Sequence, residues 1–72
     1  MRMYGVKGYA GAAEVPSVVL KVRAPGPERA IALASEREMA AGLRLEAIEI
    51  GGALSIEGVM YEGPWPWLNK KA

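Results

Sequence analysis

Cysteine and histidine are both absent from this chain, as are aspartate, glutamine, threonine and phenylalanine, and asparagine occurs only as Asn69. Without cysteine there are no disulfides and no thiolate nucleophile; without histidine the usual general base and the Cys/His zinc sites go as well. Glu, Tyr, Lys, Arg and Ser are left to carry any chemistry. Long apolar runs are also missing. Nothing approaches the roughly 18 residues of a membrane span, and the opening MRMYGVKGYAG lacks the apolar centre of a secretory signal. A soluble, cytoplasmic protein that does not engage a membrane is expected. An excess of one charge is lacking too: 9 Lys and Arg against 8 Glu leave a formal +1. Proteins that coat nucleic acid are far more basic, so any such contact here must be local. The Glu/Lys/Arg usage with few thermolabile side chains follows the thermophile trend, a bias that a GC-rich genome also produces.

What is present fits one small domain, since 72 residues leave no room for a second core. At this size only about 60% of the unfolded surface is buried on folding, so the core has little to spare. The stretch RMYGVKGY predicts a first strand over residues 2–9, with Tyr4 and Val6 on one face. In SVVLKVRA, Val18, Leu20 and Val22 alternate with Val19, Lys21 and Arg23, the period of a half-buried strand whose first group faces the core. Pro25 and Gly26 end it, and Pro27 suits a first helical position, where its missing N–H costs nothing. A helix is expected over residues 27–41, with Ala30, Leu33, Ala34, Arg37 and Ala41 along its inner stripe and Gly42 as its left-handed stop.

After Gly42, LRLEAIEIGGALSIEGVMY reads as two strands separated by Gly51 and Gly52, the composition of a primed two-residue hairpin turn. Ile48 and Ile50 share one face, and Leu43, Leu45 and Ala47 the other. The expected fold class is α+β: a two-layer sandwich in ββαββ order, one helix packed on a mainly antiparallel sheet. The expected division is a single domain over residues 1–63 and a Pro/Trp-rich tail over residues 64–72.

The residues YGVKGY in a first strand, VRA closing a second, a Pro/Glu-opened helix carrying Ala30, and IEI closing a third strand together resemble the small archaeal large-subunit ribosomal protein LX family over roughly the first 50 residues. The resemblance implies a strand-strand-helix-strand core and contact with ribosomal RNA through Lys7, Arg23 and Arg44. The family's basic segment after the helix is here AAGLRLE, where Arg44 alone matches. The PWPW tail lies outside the family pattern.

No catalytic constellation stands out, and no enzyme is expected. Glu46, Glu49, Glu57 and Glu62 lack a histidine partner and read as solvated strand residues. The glycines of GVKGYAG lack the Lys-Ser/Thr pair and following helix of a phosphate loop. Neither a cofactor nor a metal is expected.

The ending YEGPWPWLNKKA is the sharpest local signal. Pro64 and Pro66 stiffen the segment toward extended geometry and limit where Trp65 and Trp67 point. Two indoles beside Lys70 and Lys71 suit stacking on unpaired bases with lysines on phosphates, or anchoring in a protein pocket. Alternatively Trp65, Trp67 and Leu68 fold back over Ile48 and Ile50 to enlarge a small core. Two functions follow. In the first, the chain is a non-catalytic module for ribosomal or other structured RNA, using Lys7, Arg23, Arg44, Lys70 and Lys71 with Trp65 or Trp67. In the second, it is a protein-interaction or homo-oligomeric module using a sheet edge or the apolar second face.

Overall fold

Four strands and one amphipathic helix make up the regular structure of the described residues. The structure, a computed structural model, describes residues 1–52 and 56–65. Strands β1 (Arg2–Tyr9) and β2 (Val18–Ala24) are followed by helix α1 (Pro27–Ser35), a 3-10 turn (Glu38–Ala40), and strands β3 (Arg44–Gly51) and β4 (Gly58–Pro64). The strands make one antiparallel sheet in the order β3-β1-β2-β4, and α1 packs against it, an α+β arrangement. The 3-10 turn is an element that the expected ββαββ order lacked.

The expected hairpin does not form. β3 pairs with β1 and β4 with β2, so the runs on either side of Gly51 and Gly52 lie on opposite edges of the sheet. Neither glycine has the positive φ of a primed turn; among the described residues those glycines are Gly11, Gly42 and Gly58. The reason is burial. With one strand on each side of the β1–β2 pair, the helix sits centrally, and Leu45 and Ala47 of β3 and Val59 of β4 all reach the core beneath it. Gly51, Met3, Arg23 and Gly58 line up across one end of the sheet. Three strand spacings amount to about 14 Å, well within reach of residues 52–57.

The helix is also shorter than expected. α1 ends at Ser35, whose Oγ donates to the Ala32 carbonyl at 2.8 Å, and Arg37 is already extended at φ −85°, ψ 141°. Ser35 competes for backbone hydrogen bonds, and leaving the helix carries Arg37 outward to Glu62 of β4. The inner stripe therefore holds only through Ala34; beyond it Ala40 is buried, whereas Ala41 and Arg37 are exposed. Gly42 is left-handed at φ 76°, as expected, and closes the 3-10 turn instead of the helix.

The core lies between α1 and one face of the sheet: Tyr4 and Val6 of β1, Val18, Leu20, Val22 and Ala24 of β2, and Ala30, Ala34 and Ala40 above them. The small residues of the helix layer let its backbone approach closely, so the strands supply most of the buried volume. Two forked ion pairs pin the helix layer to β4 and to the residue that precedes it. Arg29 bonds Glu57 at 2.9 and 3.2 Å, and Arg37 bonds Glu62 at 2.9 and 3.0 Å. These hydrogen bonds hold both carboxyls below their ordinary value of 4.5, against an opposing push from partial desolvation.

That shift sets the sign of an acid response. A carboxyl whose folded pKa is lowered stabilises the fold above its unfolded pKa and loses that contribution as pH falls through the folded value. The thermal midpoint is expected to fall below about pH 4.5, and the Glu57→Gln/Glu62→Gln double variant should show a shallower fall. Scanning calorimetry at stepped pH checks this; parallel curves for the two proteins would mean that the pairs contribute nothing.

Candidate functional site

Because α1 covers one face of the sheet, strand parity decides what the other face carries. Side chains of paired residues project to the same side. One row across β3-β1-β2-β4 therefore reads Ile48, Gly5, Lys21, Tyr61, and the next reads Glu46, Lys7, Val19, Gly63. Arg44 and Tyr9 extend this face at one end, Met3 and Arg23 at the other. A bulge in each edge pairing leaves Ile50 and Met60 without an opposite residue.

Lys7, Arg23, Arg44 and Trp65, chosen individually from the sequence, thus belong to one helix-free face. Trp67, Lys70 and Lys71 lie outside the described residues. Trp65 is half-buried; its backbone N–H donates to the Ser17 carbonyl at 3.1 Å, fixing the segment beside the start of β2. The Lys7 Nζ sits 5.2 Å from the indole centroid, within cation–π range. Arg44 stacks over Tyr9 at 4.7 Å and donates to the Ala13 carbonyl at 3.0 Å, so part of its role is to hold the β1–β2 connection. Tyr9 donates to Glu46 at 3.2 Å, and burial together with that carboxylate raises the phenol pKa. The Arg23 guanidinium contacts the Met60 sulfur, and its Nε is a buried donor without an acceptor among the described residues.

Lys21 was not singled out as a site residue, although it lies two positions before Arg23 and the alternation of β2 already put both on one side. Lys7 and Lys21 occupy one diagonal of a two-by-two patch whose other diagonal is Gly5 and Val19. Around that patch lies a shallow concavity of about 520 Å³, walled by Ile48 and Ile50 on one side and Trp65 on another. Its size is within the range of small-ligand sites. The isoleucines remain 45% and 47% exposed beside Trp65; Trp67 and Leu68, the other residues of the expected folded-back tail, lie outside the described residues.

The charges are segregated. On the helix-free face Lys7, Lys21, Arg23 and Arg44 stand against Glu46, a formal +3 among the described side chains. In and around the helix layer Arg29 and Arg37 stand against Glu28, Glu36, Glu38, Glu57 and Glu62, a formal −3. The carboxylates weighed as acid–base candidates are dispersed: Glu46 and Glu49 lie on β3, Glu57 and Glu62 at the opposite edge, and each bonds a different side chain. Among the described residues no three potential ligands converge on a metal position, and no helix is long and apolar enough to cross a membrane.

No family model, curated protein or solved structure matches the chain, so its reading rests on the geometry of this face.

Proposed function

We propose that the helix-free face of the sheet binds RNA without catalysing a reaction. The observation that supports this reading is the segregation of charge: a chain with almost no net charge places four of its seven described basic side chains, with Glu46 as the one carboxylate among them, on the face that also carries Trp65, Tyr9 and Tyr61. Arg2, Arg29 and Arg37 are each paired with a glutamate elsewhere. Lysine and arginine engage phosphates while aromatic rings offer stacking surfaces to bases. The resemblance to the ribosomal protein LX family points the same way, since Lys7, Arg23 and Arg44 all lie on this face.

Fluorescence anisotropy with a labelled RNA oligonucleotide tests the proposal. Each phosphate contact to a single strand contributes about −0.7 to the slope of log affinity against log salt, so four cations give a slope of roughly −3. Absence of binding at 50 mM salt, a concentration of the order where such contacts are strong, would exclude it.

A second reading, a homo-oligomeric or protein-interaction module, draws on the exposed Ile48 and Ile50 of edge strand β3. An edge strand offers backbone groups to a further strand. Light scattering coupled to size exclusion separates the readings: a stable dimer indifferent to RNA favours the second.

A further inference from the structure

We infer that the concavity over Gly5 receives one unpaired base of a single-stranded RNA, with the flanking phosphates held by Lys7 and Lys21. This inference rests on the RNA reading of the face and adds to it the form of RNA and the place where a base lodges. The shape of the site is the first argument. At Gly5 the sheet surface dips for want of a side chain, between Ile48 and Ile50 on β3 and the Trp65 indole across the patch. The walls are apolar or aromatic, as suits the face of a planar heterocycle.

Charge is the second. The two lysines stand on a diagonal across this dip, and their placement matches an aromatic group with an anion on either side of it. The Lys7 ammonium, 5.2 Å from the Trp65 centroid, keeps its charge at the rim. A duplex does not meet these demands. Its bases show only their edges, and an A-form groove does not let a base face lie against a sheet. An unpaired base exposes the whole π surface, and stacking of this kind is tolerant of sequence.

Gly5 also makes the inference testable, because its backbone and its surroundings accommodate a Cβ. Its φ lies outside the left-handed region, and a Cβ there would sit 3.5 Å from the Ile50 Cγ2, an ordinary contact. Valine suits a strand and projects into the dip, filling the floor while leaving every charge in place. Anisotropy titrations should compare an 8-mer of uridine, the same strand made abasic, and an 8-base-pair duplex. The wild-type protein is expected to bind the uridine strand about tenfold more tightly than the abasic one, and the duplex no better than the abasic strand. Gly5→Val should bring the ratio of uridine to abasic binding close to one while keeping the abasic affinity and its salt slope. Trp65→Ala, which removes a wall outside the core cluster, should narrow the ratio in the same direction even if the valine variant folds poorly.

The outcomes separate the two levels of the argument. Equal wild-type binding of uridine and abasic strands overturns the base site and leaves the basic face standing. A tenfold ratio that survives both Gly5→Val and Trp65→Ala, or a duplex bound as tightly as the uridine strand, also overturns the base site. Failure of all three RNAs to bind at low salt removes both readings together.

Discussion

Replacing Leu20 with alanine is expected to lower the unfolding free energy by about 2–5 kcal/mol. Leu20 is fully buried and is the largest of the fully buried side chains, followed by Val6, Val19 and Val22. It sits in β2, which pairs with β1 on one side and β4 on the other. The helix residues buried above the sheet are alanines, Ala30 and Ala34, which have no side-chain length with which to fill the void. A chain of this length has a total stability on the order of 4–11 kcal/mol, so the variant stands near the limit of folding. Urea denaturation measures the loss. As a contrast, Ile48→Ala, at 45% exposure on the helix-free face, should cost less than about 1 kcal/mol. Similar losses at both positions would mean that the two faces of the sheet are equally enclosed.

The second large effect concerns binding. The double variant Lys7→Gln/Lys21→Gln should weaken RNA affinity by between about tenfold and a hundredfold at 50 mM salt, and make the salt slope shallower by about 1.4. Both lysines lie on the helix-free face at partial exposure, and glutamine keeps most of the aliphatic stem, so the fold should be retained. An unchanged slope would place the phosphates elsewhere on the molecule. Circular dichroism of the same samples shows whether a lost signal comes from unfolding.

Where the chain obeys a local rule, the sequence was sufficient. β1 spans Arg2–Tyr9 as expected, Val18, Leu20 and Val22 point inward, Pro27 opens α1 and Gly42 is left-handed. Each of these depends on neighbours within a few residues. The choice of pairing partner does not. A Gly-Gly step between two alternating runs is a strong hairpin signal, yet β3 and β4 each gain more by flanking the β1–β2 pair under the helix. The helix end failed for a related reason, since the ion pair that draws Arg37 out of register involves Glu62, 25 residues away.

The candidate site was legible only in pieces. Lys7, Arg23, Arg44 and Trp65 were visible as residues of suitable chemistry, but their common face depends on register between strands, which the chain does not print. Gly5 was legible only as one of the glycines of GVKGYAG, because its place in the concavity is the absence of a side chain at a point bordered by Ile48, Lys21 and Trp65. Lys21 could have been found, since its parity with Arg23 is a matter of counting.

The opposed charges of the two layers have a kinetic consequence. A body with a net charge near zero feels little attraction as a whole toward a polyanion. With a formal +3 on one face and −3 around the other layer, across a smallest extent of 18 Å, it behaves as a strong dipole. In the field of a polyanion such a dipole experiences torque before it experiences much pull, so the proposed encounter with RNA would begin with the sheet turned toward the phosphates. Screening confines this steering to about 8–10 Å at physiological salt. Orientation is then largely settled before contact, and fewer encounters present the acidic helix layer first.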